Sequence, residues 1–374
     1  MQVIFTGGGT AGHVLPNIAV IEELKERYNG GKKSDHQGLH ILYIGSHHGP
    51  EKELCRRYGV DFVSIATGKL RRYLSLENIV DPFRVVKGCV DAWRILRKFR
   101  ADVVMSKGGF VSFPVVLAAW TLKIPIVLHE ADVEPGLANR MCARFAKVIC
   151  VSWVETMKYF SRRDAAKKLL WTGMPVRREV VRGVRAKGLS FLHFDDLKPI
   201  LLVMGGSSGA KSINTLVWKN VDTLIGMYNV VHLTGRGVDE SFIKNLMRRK
   251  SGYRSFPYLH DELFDVYAAS DIVVSRAGAG AIAELCVLAK PCVLIPLGTE
   301  QSRGDQIVNA GILGEAGAVE ALREPVSDKK FISLMTDLAK HEKQRDGLSD
   351  RLKPFGVRFK RAAGQIAELI MSMG

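Results

Sequence analysis

No stretch of this sequence of 374 residues is long and apolar enough to span a bilayer. The longest candidate, Val111 to Leu122, falls short of the roughly 20 residues a spanning helix needs and contains Pro114. The amino terminus enters an apolar segment at Val3-Ile4-Phe5 with no basic leader and no small-residue cleavage site, so export is not expected. The six cysteines, Cys55, Cys89, Cys142, Cys150, Cys286 and Cys292, never fall in C-x-x-C spacing, which argues against a metal or disulfide framework and predicts buried thiols in a reducing compartment. Low-complexity tracts are absent too, so disorder is not expected. Acidic side chains are scarce relative to basic ones, 38 against 54, leaving a formal charge of +16. That excess calls for nucleic acid, anionic lipid or a phosphorylated substrate, and charge alone does not choose among them.

What is present is alternation. Apolar strand-like segments (Gln2 to Thr6, His40 to Ile44, Asp61 to Ile65, Ala101 to Met105, Ile124 to His129, Val148 to Val151) alternate with helix-like ones, the pattern of a parallel sheet covered by helices. The pattern thins over Arg177 to Asp196, a charged segment with Gly183 and Gly188, and restarts at Pro199 to Met204 with a second core. The expected fold class is α/β, two tandem doubly wound Rossmann-like domains over 1–176 and 177–353, with a ligand crevice at their strand carboxyl ends and a final helix, 354–374, packing back on the first.

Four glycine turns follow strands, two in each half: TGGGTAGHVLPN from Thr6, VMSKGGF from Val104, LVMGGSSGA from Leu202 and VVSRAGAGA from Val273. The first lacks G-K-[ST], and Gly45-Ser46 stand where a dinucleotide fold puts its acidic ribose ligand, so neither a P-loop nor NAD fits. The last opens Asp271 to Asn309, in which a strand, Gly278, Gly280 and a helix start would aim free N–H groups at an anion such as a diphosphate. Glycine clusters after strands are also ordinary tight turns. His13, at a helix start, has the chemistry of a base for a substrate hydroxyl, or is a histidine satisfied by backbone. Glu284 either faces solvent or accepts from ribose hydroxyls, and Asp305, Gln306 and Asn309 suit sugar hydroxyls or a plain surface loop. Lys69 to Arg100 interleaves basic residues with Tyr73, Leu74, Ile79, Phe83 and Trp93, the composition of a surface lying on anionic lipid or of an amphipathic helix with a solvated basic face. No RNA-binding signature accompanies it.

Six ordered motifs resemble the MurG family, UDP-N-acetylglucosamine:undecaprenyl-pyrophosphoryl-muramoyl-pentapeptide N-acetylglucosaminyltransferases of bacterial cell-wall synthesis. They are GGGTAGHVLPN, SKGGFVSFP, HEADVEPGLANR, TGMPVR, GGSSGAKSIN, and SRAGAGAIAE with SRGDQIVNA, and they cover nearly the whole chain. Many members carry glycine where this chain has Ala11 and H-E-Q-N where it has His129 to Asp132. The resemblance implies the glycosyltransferase B-type fold and transfer of N-acetylglucosamine from UDP-N-acetylglucosamine to the C4 hydroxyl of lipid I, with inversion. Donor contacts would fall to Thr10, Gly12, Arg177, Ser207, Leu259, Ala279, Gly280, Ala281, Glu284, Asp305 and Gln306. Acceptor contacts would fall to Gly108, Gly109, Phe110, Glu130, Asp132 and Asn139, with His13 as general base. No D-x-D pair is present, since Asp132-Val133-Glu134 lies in the acceptor loop, so neither metal nor other cofactor is expected and helix N-termini would stabilise the leaving diphosphate. Arg71, Arg72, Leu74 and Phe83 would dock the enzyme peripherally on the anionic cytoplasmic face of the plasma membrane; nucleic acid is not an expected partner. A UDP-sugar 2-epimerase, a diacylglycerol glycosyltransferase and a non-enzymatic UDP-binding scaffold are the rival readings.

Overall fold

The structure, a computed structural model, describes residues 1–30, 38–68, 77–160, 168–206, 209–300 and 302–374. The chain divides into two compact units, Met1–Arg177 with Arg358–Gly374, and Arg178–Val357.

Among the described residues the first unit holds seven parallel strands: β1 (Gln2–Thr6), β2 (His40–Ser46), β3 (Asp61–Ile65), β4 (Val103–Ser106), β5 (Ile126–Glu130), β6 (Val148–Val151) and β7 (Leu169–Trp171), in the order β3-β2-β1-β4-β5-β6-β7. Their side chains alternate between two cores, as a sheet covered on both faces requires. Val3, Phe5, Val103 and Met105 face one core, which also takes Ile366, Ala367 and Ile370 of the terminal helix Glu342–Met371. Ile4, Val104, Ile126 and Leu128 face the other, against Ala92 and Leu96 of the helix Glu77–Phe99. Strand order reverses direction between β1 and β4, so Thr6 and Ser106, which pair in register, end side by side and release the first two glycine turns at one place.

In the second unit, β8 (Ile200–Met204), β9 (Asn229–Leu233), β10 (Tyr253–Phe256), β11 (Ile272–Ser275), β12 (Cys292–Leu294) and β13 (Glu320–Ala321) form a parallel sheet ordered β10-β9-β8-β11-β12-β13. The same reversal brings Met204 and Ser275 into register, so the other two glycine turns leave from neighbouring strand ends.

The segment in which the alternation thins is itself structured. Residues Arg178–Arg182 form a 3-10 helix and Arg185–Leu192 an α-helix packed on the helix Glu262–Ala269. A Cβ at Gly183 would lie 1.9 Å from the Phe264 carbonyl oxygen, and one at Gly188 2.2 Å from that of Asp265. Those glycines permit close helix packing, and Asp265 accepts from the Val184 amide at 2.7 Å. The terminal helix also begins earlier than Pro354, which sits exposed inside it. Of the six cysteines five are buried and Cys89 is half-buried.

Candidate active site

At the rim of the second sheet, β11 ends at Ser275 and the helix Ala279–Val287 starts four residues later, with Gly278 as its extended N-cap (φ −70°, ψ 139°). No side chain caps it. A Cβ at Gly278 or Gly280 would meet nothing within 4 Å, and neither residue has a positive φ. Nothing among the described residues of this unit demands glycine at either position, whereas an anion approaching the Ala279, Gly280 and Ala281 amides would.

Glu284 lies on the same helix, half-buried, and its Oε2 accepts from the Tyr267 hydroxyl at 3.1 Å. Tyr267, fully buried on the helix Glu262–Ala269, escaped the sequence reading because nothing in the motif marks it. The bond uses one of the carboxylate's lone pairs and fixes the rotamer. Gln306, in the helix Asp305–Glu315, accepts from the Leu297 amide at 3.1 Å, which leaves its NH2 as the group free to donate outward. Asp305 pairs with Arg303 at 3.4 Å. Leu259 is buried in the loop after β10. Ser207 lies outside the described residues.

Arg276 was also missed. It follows β11 immediately and is 7% exposed. One guanidinium nitrogen meets Glu324 at 2.9 Å and the Ile295 and Pro296 carbonyls at 3.1 and 3.3 Å, while the other donates to Ser212 Oγ at 2.8 Å. Ser212 in turn donates to Glu324. A planar fork thereby ties the glycine turn after β11 to the chain after β12 and β13 and to the first turn of the helix Lys211–Lys219. An arginine directly behind a buried strand was the available signal.

At the rim of the first sheet the two glycine turns pack on each other. The Gly8 amide donates to the Gly108 carbonyl at 3.3 Å, and a Cβ at Gly109 would lie 2.4 Å from the Gly8 oxygen. Phe110 covers Gly9. The buried Glu51 accepts from the Gly9 amide at 2.9 Å and from Ser46 at 3.0 Å, bracing the first turn. The helix Ala11–Gly30 starts earlier than Val14, so Gly12 and His13 sit in its first turn. Thr10 Oγ1 and His13 Nδ1 are 3.0 Å apart. If Nδ1 carries the proton and donates to Thr10, the lone pair is on Nε2.

Glu130, Asp132 and Asn139 come together at the end of β5, but Glu130 and Asn139 point inward. Glu130 accepts from the amides of Ala131 (2.8 Å), Asp132 (3.0 Å) and Gly136 (3.1 Å) and from Asn139 Nδ2 (2.8 Å), so both its oxygens are committed to the loop that follows. Burial, and then Asp132, raise its pKa, and Lys107 opposes them. Asn139 also donates to the His129 carbonyl at 3.2 Å. His129 is neutral, held well below its ordinary pKa by burial and then by Lys107. Its Nε2 must carry the proton, because it faces the Gly173 carbonyl at 2.9 Å.

Arg177 closes the first unit, its Nη1 donating to the Tyr58 hydroxyl at 2.7 Å. Arg71, Arg72 and Leu74 lie outside the described residues. Phe83 is 74% exposed, and with Val86 and Val90 forms an exposed apolar stripe on the helix Glu77–Phe99. No helix among the described residues is long and apolar enough to cross a membrane, and no group of three or more His, Cys, Asp or Glu among them could hold a metal ion.

Comparison with known proteins follows the same division. The glycosyltransferase family 28 N-terminal domain matches residues 3–151 and its C-terminal domain residues 200–366. An N-acetylmuramyl-(pentapeptide) pyrophosphoryl-undecaprenol N-acetylglucosamine transferase of Bacillus cereus is 47% identical over 339 residues, 90% of this chain and 91% of that protein. A transferase of the same name from Clostridium botulinum is 43% identical over 90% of both chains. Among solved structures, Acinetobacter baumannii MurG superposes with a TM-score of 0.73 at 22% identity, covering 100% of this chain and 99% of that one. A UDP-GlcNAc 2-epimerase of Neisseria meningitidis does so at 0.70 and 16%, covering 100% of both. At those identities the two structures share the fold.

Proposed function

The chain belongs to glycosyltransferase family 28, and from that premise we propose that it transfers N-acetylglucosamine from UDP-N-acetylglucosamine to the C4 hydroxyl of an undecaprenyl-diphosphate-linked muramoyl pentapeptide in peptidoglycan synthesis. The observation that carries this is the 47% identity over nine-tenths of a transferase with that acceptor in its name.

The acceptor oxygen attacks the anomeric carbon in one inverting displacement, the bond from that carbon to the β-phosphate oxygen breaks, and the electron pair leaves with UDP. The amides of Ala279 to Ala281 take the negative charge that develops on the diphosphate, an interaction worth about 1–2 kcal/mol at a partly buried helix start. Glu284, held by Tyr267, accepts from the ribose hydroxyls, and Gln306 and Asp305 meet the sugar. By the resemblance, Leu259 and Arg177 serve the uracil, and Ser207 and Gly12 belong to the donor side. His13 takes the proton of the C4 hydroxyl on Nε2 while Thr10 holds Nδ1. General-base catalysis of this kind contributes about 10²- to 10⁴-fold in rate. Gly108, Gly109, Phe110 and the 131–136 loop, set by Glu130 and Asn139, receive the acceptor.

An acceptor with a polyprenyl tail stays in the bilayer, so the protein meets it there. The stripe Phe83, Val86 and Val90, flanked by the exposed Arg84, Lys87 and Arg94, supports peripheral docking on an anionic cytoplasmic leaflet, with Arg71 and Arg72 adding charge.

The test is turnover. Purified protein given UDP-N-acetylglucosamine and a lipid I analogue is expected to release UDP and form the disaccharide product. UDP release without that product, or epimerisation of the donor in the absence of acceptor, would refute the reading.

A further inference from the structure

We propose that Glu51 is a positioning residue for the general base: its buried carboxylate holds the Gly9 amide, and so fixes the end of the first glycine turn from which Thr10 and His13 emerge. The proposal rests on reading His13 as the base for the acceptor hydroxyl.

The chain leaving β1 is tied down one residue at a time. The Gly7 carbonyl accepts from the Tyr43 hydroxyl of β2 at 2.7 Å, the Gly8 amide donates to the Gly108 carbonyl after β4 at 3.3 Å, and the Gly9 amide donates to Glu51 Oε1 at 2.9 Å. Three different elements hold three successive residues. Burial ends at the same place, since Gly7 and Gly8 are buried whereas Gly9, Thr10 and Gly12 are exposed. Beyond Gly9, the His13 amide donates to the Thr10 carbonyl at 3.1 Å and Thr10 Oγ1 meets His13 Nδ1 at 3.0 Å. Glu51 therefore acts on the residue directly before that pair.

Glu51 is the first residue of the helix Glu51–Arg57 and is fully buried. The surrounding backbone leaves room for it: a Cβ at Gly8 would fall 2.0 Å from Oε1, one at Gly49 1.6 Å from Oε2, and one at Gly45 3.0 Å from the Glu51 Cβ. Ser46, the last residue of β2, donates to the same Oε1 at 3.0 Å. In a dinucleotide-binding fold an acid at this strand end takes a ribose and the glycine turn takes a pyrophosphate. Here the acid comes from the following helix and turns onto the glycine amide instead.

Stability does not account for the arrangement. Oε2 is buried with no hydrogen-bond partner among the described residues, and an unmet carboxylate oxygen is destabilising. Gly9 is exposed, so without Glu51 its amide would bond to water. What the carboxylate supplies is direction. Gly9 has φ +94°, and one bond to a buried, immobile oxygen selects that conformation for a residue of wide backbone freedom, and with it the path of Thr10 and His13.

Glu51→Met keeps the volume and removes the acceptor, whereas Glu51→Gln keeps an acceptor oxygen. With a lipid I analogue, Glu51→Met should lower kcat about 10- to 100-fold and leave the KM for UDP-N-acetylglucosamine within about twofold. Glu51→Gln should return kcat to within about threefold of wild type, and Ser46→Ala should show the Met pattern at smaller size. In a His13→Ala background Glu51→Met should cost less than about twofold further, because the group it positions is gone. The thermal midpoint of Glu51→Met should rise or stay within about 4 °C of wild type. Independently of turnover, hydrogen exchange at the Gly9 amide should be slow in wild type and Glu51→Gln and fast in Glu51→Met, with the amides of Ile4 to Thr6 in β1 unchanged.

Full additivity of Glu51→Met with His13→Ala, a thermal midpoint that falls further than stated, or a Gly9 amide still protected in Glu51→Met would overturn the proposal. Should the protein turn over no lipid-linked acceptor, the functional reading alone would fall, and exchange at Gly9 would still decide whether Glu51 holds the turn.

Discussion

The two rims spend glycine differently. In the first unit Gly109 is a glycine because the turns are built against each other, a Cβ there falling 2.4 Å from the Gly8 carbonyl oxygen, and a Cβ at Gly8 would fall 2.0 Å from Glu51 Oε1. In the second, Gly278 and Gly280 face open space with ordinary backbone angles, and the fold gains nothing from their missing side chains. A glycine required by packing reports on the scaffold, whereas one at an uncapped helix start that packing does not require leaves the first amides open to approach. By that criterion the turn after β11 is the place we propose for the diphosphate, and the paired turns after β1 and β4 are packed scaffold.

The sharpest way to break this contrast is to substitute the crowded glycine. Gly109→Ala forces a Cβ into a backbone atom at φ +85° and should cost about 3 kcal/mol or more, read as a large drop in the thermal midpoint or loss of soluble protein. A variant as stable as wild type would show that the turns do not need each other. Next in size is Arg276→Lys, which keeps the charge but not the fork that joins Ser212, Glu324 and two carbonyls. A fall in donor kcat/KM of about 30- to 100-fold is expected, corresponding to about 2–3 kcal/mol, with the acceptor KM unchanged. Equal losses for both substrates would make Arg276 a general stability residue.

Gly280→Ala sharpens the comparison from the other side. A helix gains by the change, so unfolding should be unaltered or up to about 1 kcal/mol more costly, while the donor KM rises about tenfold because a methyl group stands where the diphosphate approaches. Smaller still, Tyr267→Phe removes one hydrogen bond from Glu284, and a loss of about 1 kcal/mol in donor binding, without change at the acceptor, is expected from isothermal titration with UDP.

The sheet architecture was legible because buried parallel strands read as apolar runs and because each of the four glycine turns follows one. The sequence cannot say which glycine turns face one another: the partnership of Gly8 with Gly109 spans about a hundred residues and depends on β1 lying beside β4. Gly183 and Gly188 were legible only as a thinning of the alternation, and the sequence does not show that each lets two backbones touch. Glu130 was legible as important and illegible as to direction. Its motif looks like a polar loop offered to substrate, yet all four of its hydrogen bonds point inward, since burial is decided by the β4–β5 register and not by residue type. Tyr267 carries no local signature and Arg276 only its place behind a buried strand, because their partners lie 17 residues away for Tyr267 and 19 to 64 for Arg276 along the chain.

A structure of the protein with UDP bound tests the central claim most directly. The account predicts diphosphate oxygens within about 3 Å of the Ala279, Gly280 and Ala281 amides, at ordinary hydrogen-bond length, and the ribose on Glu284. A diphosphate seated instead on the Gly7–Gly9 turn of the first unit would contradict it.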